Sequence, residues 1–152
     1  MRRCAQILAV AVTIATLGCT NTQLIPTTFE SDRIFANATA PDGQPVVFYT
    51  DSGGGYNAVT SSIAARYSLE SKGEVQSDGS VTALVEFPEF LTDSGIPRPK
   101  HDRWLGGNLA VVPDGRLEAD GFLGSRWFAG GVWVFDYDAK TLALADSSSP
   151  YA

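Results

Sequence analysis

Residues 45 to 69 read Pro45-Val46-Val47-Phe48-Tyr49-Thr50-Asp51-Ser52-Gly53-Gly54-Gly55-Tyr56-Asn57-Ala58-Val59-Thr60-Ser61-Ser62-Ile63-Ala64-Ala65-Arg66-Tyr67-Ser68-Leu69. Pro45 to Thr50 is a short, mostly apolar run of β-formers, the profile of a buried strand. Asp51-Ser52-Gly53-Gly54-Gly55 then sets a carboxylate on a tight turn. Its glycines admit positive φ and close backbone approach, and the serine hydroxyl can bond a neighbouring backbone group. Asn57-Ala58-Val59 follows, and Thr60 or Ser61 caps a short helix from Ser62 to Tyr67 with Ile63 and Tyr67 on one face. A carboxylate so placed can titrate unusually, bind a cation or merely form a turn, and the tripeptide does not choose. The chain carries its own control. Thr92-Asp93-Ser94-Gly95 repeats Thr50-Asp51-Ser52-Gly53, but Ile96-Pro97-Arg98-Pro99 follows it and cannot continue as a central strand. The second copy is read as a loop.

Outward from this segment, turn signals alternate with short apolar runs. Ile34-Phe35-Ala36 begins a strand that pairs with Pro45–Thr50 across the Pro41-Asp42-Gly43-Gln44 turn. A hairpin is predicted from Gly73–Ser77 and Ser80–Phe87 about Asp78-Gly79. Pro88 to Arg103 holds three prolines and reads as a loop. Leu109–Val112 is a strand, Pro113-Asp114-Gly115-Arg116 a turn, and Ser125–Phe128 a helical turn. Val132–Tyr137 alternates, with Thr141–Leu144 as its partner. Trp127 and Trp133 lie in apolar elements and read as core; Trp104, among charged residues and glycines, reads as partly exposed.

The 152 residues suffice for one domain with its own core. Apolar content of 44% with 15 glycines, 8 prolines and short apolar runs favours a mainly β fold over a helical bundle. Met1-Arg2-Arg3, an apolar stretch from Ala5 to Leu17 and the sequence Ala15-Thr16-Leu17-Gly18-Cys19 read as a secretory leader, too short to span a bilayer comfortably. Its end resembles a bacterial lipobox, which implies lipidation of Cys19, a periplasmic domain and an anchor in the cell envelope. Residues 1–19 are thus assigned to a leader, 20–32 to a flexible tether, 33–145 to the folded domain and 146–152 to a disordered tail.

Composition excludes several chemistries. Without Arg2 and Arg3 the chain carries nine basic against 17 acidic residues, a net −8. No Lys/Arg cluster remains, so nucleic acid is a poor partner. The only cysteines, Cys4 and Cys19, lie in or beside the leader, which leaves none for a disulfide, a zinc site or a thiol nucleophile. A Ser-His-Asp triad would have to use the lone His101, which sits in a polar loop. Neither a metal nor a cofactor is expected.

Residues 45–69 resemble the active-site segment of the retropepsin-like aspartic proteases. That pattern is an apolar strand, Asp-Thr/Ser-Gly-Ala/Gly, a short gap, an apolar pair with a Ser/Thr, and a short helix ending in Leu. Gly54 stands where Ala is commoner. The family's second element, an apolar-apolar-Gly turn before a closing hairpin, resembles Asp120-Gly121-Phe122-Leu123-Gly124, with Trp127-Phe128 and residues 135–144 behind it. The matched parts cover about half of the chain beyond residue 19.

The resemblance implies a closed β-barrel with one short helix after the Asp-Ser-Gly loop. It implies that two carboxylates face each other across a shared water and, because one lobe supplies one Asp, that two chains meet at a two-fold axis to hydrolyse a polypeptide. Asp51 would be the catalytic carboxylate. Ser52 would brace the paired loops and Gly53 would let them approach. Asp120 is taken as a turn residue, and Asp93 as an internal partner for Asp51 is the minor alternative. The family flap is usually a Gly-rich hairpin tip, whereas Gly73–Phe87 has only Asp78-Gly79. The rival reading is therefore a non-catalytic envelope lipoprotein that keeps the fold as a binding or structural module.

Overall fold

The computed structural model describes residues 22–77, 79–100 and 102–145. Cys19, His101 and the tail lie outside them, as does the leader. The fold is mainly β, in two sheets.

The larger sheet is built around the opening segment. β3 (Arg33–Thr39) and β4 (Pro45–Thr50) form the expected hairpin, with Ile34 opposite Thr50 and Thr39 opposite Pro45. Gly43 takes φ 79° in the connecting turn, where its N–H donates to Ala40 O. β4 buries Val46, Phe48 and Thr50 and half-exposes Val47 and Tyr49, the alternation of a sheet with one face on the core. β5 (Asn57–Thr60) leads into α1 (Ser61–Arg66). β6 (Ser71–Ser77) and β7 (Ser80–Val85) are antiparallel, with a bulge between Ser71 and Gly73. β8 (Leu109–Val112) runs parallel to β5.

The decisive strand is β9 (Gly121–Leu123). It lies parallel to β4 on one side and antiparallel to β5 on the other, so a late segment is threaded between two strands that the chain connects through the Asp51 loop. With β2 (Thr27–Glu30) beside β3, the order is β2-β3-β4-β9-β5-β8-β7-β6. The smaller sheet, β1-β11-β10, joins β1 (Thr22–Ile25) to the hairpin β10 (Val132–Asp136) and β11 (Thr141–Ala145). Ile25 and Leu142 enter the same core as Ile34, Phe48, Phe87, Leu109, Leu123 and Trp127. Phe48 is fully buried, so its truncation to Ala costs about 3–5 kcal/mol.

Four expectations are corrected. Among the described residues the barrel does not close: β2 and β6 end the larger sheet without meeting, and β1 is taken up by β11 in a separate sheet. Residues 20–32 are not all tether, because 22–25 and 27–30 are strands. Ile25 is buried, Phe29 packs edge-on to Tyr137, and Pro26 divides the two strands while its carbonyl accepts from Asn37 N. Among the described residues α2 (Glu89–Asp93) adds a helix within the Pro88–Arg103 stretch that was read as a loop, while α3 (Ser125–Phe128) is the helical turn expected there. Finally, Thr92-Asp93-Ser94-Gly95 is the C-terminal end of α2 and not a loop. Leu91 buries its side chain, Gly95 takes φ 87°, and Gly95 N donates to Thr92 O.

Candidate active site around Asp51

Thr50 ends β4 with its side chain turned inward, where Oγ1 donates to Ile34 O at 2.9 Å. The next residue, Asp51, leaves the sheet and is held by its backbone: Asp51 N donates to Leu123 O at 3.0 Å, and Gly54 N donates to Asp51 O at 3.0 Å. Its carboxylate Oδ1 accepts from Gly53 N at 2.8 Å. The loop is thus a turn organised by the Asp side chain itself. Asp51 is half-buried, while Ser52 and Gly53 are exposed. The Ser52 hydroxyl has no hydrogen-bond partner among the described residues.

The Phe122-Leu123-Gly124 element lies directly against this loop. Ser125 N donates to Gly54 O at 2.6 Å, and Gly124 N donates to Asn57 Oδ1 at 3.0 Å. A Cβ on Gly124 would stand 2.3 Å from Tyr56 O and 2.7 Å from Gly54 O, so only glycine permits the approach. A Cβ on Gly54 would stand 2.2 Å from Phe122 Cζ. The glycine found where the family resemblance favours alanine therefore has a local cause: Phe122 fills the space of that methyl group.

The two other acidic candidates are placed apart. Ser94 accepts from Thr39 N at 2.9 Å, which fixes Asp93 at the Pro45 end of the β3–β4 hairpin. Asp51 follows Thr50 at the other end, roughly 17 Å away along a six-residue strand. Asp93 instead lines an open groove of about 590 Å³ with Arg66, Tyr67, Glu70, Glu86 and Phe90. Asp120 clips strands together. Its Oδ2 accepts from Val47 N at 2.9 Å, where β9 has not yet begun, and its carbonyl accepts from Thr60 N.

Sequence reasoning missed the neighbours that brace the loop. Asn57 is fully buried, and its Nδ2 has no partner among the described residues. An amide residue opening an otherwise apolar strand was the available signal. Arg126 Nε donates to Gly55 O at 3.0 Å, and the Arg126 guanidinium lies 5.2 Å from the Trp104 ring centroid. Tyr56 stands 6.1 Å from Phe122, which stands 5.7 Å from Tyr49, so half-exposed aromatics border the loop on its sheet side.

No family model matches the chain. No curated protein matches it. Among solved structures it is similar to a retropepsin-like aspartic protease from Rickettsia conorii, at 15% identity over 83% of this chain and 91% of that one, with a TM-score of 0.42.

Proposed function

We propose that the chain is an aspartic endopeptidase of the cell envelope with a retropepsin-like domain, active when two chains bring their Asp51 carboxylates together. The observation that carries this reading is the spatial junction of the two matched segments. Asp51 N bonds Leu123 O, and Gly54 O receives Ser125 N, although some seventy residues separate them in sequence. Asp51 sits at the end of a buried strand on a self-braced turn, with an outward serine beside it for a partner loop.

Paired at a two-fold axis, the two carboxylates could not both ionise, so one proton is shared between them. The ionised group takes a proton from the water that attacks a peptide carbonyl, while the protonated group donates to the carbonyl oxygen. The water oxygen bonds to the carbonyl carbon; collapse of that intermediate releases the amine, which carries away a proton. No cofactor is needed for this chemistry.

The test is Asp51→Asn in the purified chain incubated with an unfolded polypeptide from acidic to neutral pH. Cleavage should vanish, and activity that survives the substitution sinks the reading. We extend the same proposal to Cys19 as a lipidated anchor of an exported, periplasmic domain. Cys19→Ser should then move the protein out of the membrane fraction, and unchanged partition would remove the anchor. No helix among the described residues is long and apolar enough to cross a membrane.

The non-catalytic reading is favoured by one observation. Within a chain Asp93, the sequence twin of Asp51, lies at the opposite end of the hairpin and cannot be its acidic partner. A chain that stays monomeric in sedimentation at high micromolar concentration would be a binding or structural module.

A further inference from the structure

Residues 102–105 are braced by hydrogen bonds and by burial. Asp102 is 6% exposed, and its Oδ1 accepts from Trp104 N at 3.0 Å and from Leu105 N at 2.9 Å. Its Oδ2 is buried without a hydrogen-bond partner among the described residues. Leu105 is buried in a cluster with Ala58, Ala110 and the ring of Phe122, so the loop is pinned to the sheet beside the Asp51 loop. Between these anchors Trp104 is 56% exposed.

Arg126 ties that indole to the candidate site. Its Nε holds Gly55 O, its Nη1 stands 3.8 Å from Asp102 Oδ1, and its guanidinium lies over the Trp104 ring, 5.2 Å from the centroid. The cation is thereby shared between a carbonyl and a buried carboxylate, which leaves the aromatic surface as the open recognition element. A rigidly mounted tryptophan offers large contact area at little cost in conformational entropy. Tyr56, on the Asp51 loop and itself partly exposed, stands 6.1 Å from Phe122.

We infer that Trp104 is a substrate-recognition residue that stacks an aromatic side chain of an extended polypeptide bound across Asp51, with Arg126 and Asp102 as its positioning residues. This rests on the protease reading of Asp51. Arg126 holds the carbonyl of Gly55, four residues after Asp51, and its guanidinium lies over the indole, so Trp104 borders the Asp51 loop. The preferred aromatic residue therefore lies to one side of the scissile bond, and the recognition wall includes residues 102–107 and not only the β6–β7 hairpin.

The experiment uses the full chain carrying Asp51→Asn, which binds without turnover, and fluorescently labelled decapeptides with a single Phe or Ala moved through successive positions. Anisotropy should show a preference for Phe at one position. Trp104→Ala should weaken the best Phe peptide about three- to ten-fold and leave its Ala counterpart unchanged. Trp104→Phe should restore most of the loss, and Arg126→Ala, which unseats the ring, should weaken the same peptide. Equal binding of all peptides by the Trp104→Ala and parent chains overturns the inference. So does an equal loss for Phe and Ala peptides, or a change in self-association with peptide binding intact. Because binding is read on an inactive chain, a wild-type protein that binds the Phe peptide but cleaves nothing would remove the protease reading and leave the recognition surface standing.

Discussion

At Gly54 the chain has no room for a methyl group, because Phe122 Cζ occupies its place. Gly54→Ala should destabilise the fold by about 1–3 kcal/mol, the usual cost of overpacking. Phe122→Val in the same background should recover part of that loss, because the smaller side chain vacates the space. Denaturant unfolding of the four chains of this cycle measures the coupling, expected at about 0.5–3 kcal/mol. Strictly additive effects would refute the packing account. This detail shows what was legible at the residue scale and what was not. Asp51 could be singled out because strand, glycines and helix surround it, while the identical Asp93 lacked them. The reason for Gly54 could not be read, since its neighbour in space lies far along the chain. Asn57 and Arg126 were hidden for the same reason: each bonds a backbone atom of a remote segment, and no spacing rule connects them, whereas Asp102 bonds Trp104 N and Leu105 N within its own loop.

The short helix α1 is capped by a residue from another element. Thr60 occupies its N-cap position without a side-chain capping bond, and Ser62 N donates instead to Asp114 Oδ1 at 2.9 Å, from the turn after β8. That backbone N–H holds the Asp114 carboxyl below the usual carboxylate range. A depressed folded-state pKa means that the stabilisation is fully present above the unfolded value, about 3.9, and is lost as pH falls through the folded value. Asp114→Ala should therefore lower the unfolding midpoint at pH 7, and the gap to the parent should narrow as pH drops below about 4. Thermal melts across that range check it, and a gap independent of pH would place the effect elsewhere. At this scale the sequence was most readable where local signals agreed. The β3–β4, β6–β7 and β10–β11 hairpins had alternation and turn residues in register, and α1 followed its glycines. It failed at β1 and β2, polar edge strands ordered by pairing partners rather than by propensity, and at α2, whose five residues are too few to display a helical period.

In the whole molecule, burial is arranged so that one carboxylate reaches the end of the central strands and its sequence twin is carried to the far end of the same hairpin. On the proposed reading, hydrolysis by a carboxylate pair would need a second chain. β10 pairs only with β11 among the described residues, so its other edge is open, and it carries half-buried Val132, Trp133 and Val134 with Phe135 partly exposed. The closed barrel implied by the family resemblance was not legible as two sheets because β1 could not be seen to pair with β11, more than a hundred residues away. Dimer dependence makes a quantitative prediction. Activity per chain should rise with concentration and then level off. If Asp51→Asn chains are mixed in equal amount with saturating wild-type chains and allowed to exchange, only about a quarter of random dimers keep two Asp51 side chains. The wild-type chains should then show about half of the activity that they show alone. A monomeric enzyme would be indifferent to the added variant, and a dimer that uses a single Asp51 would retain nearly all of its activity. The mixing ratio therefore separates a shared carboxylate pair from association that is merely structural, without requiring that the natural substrate be known.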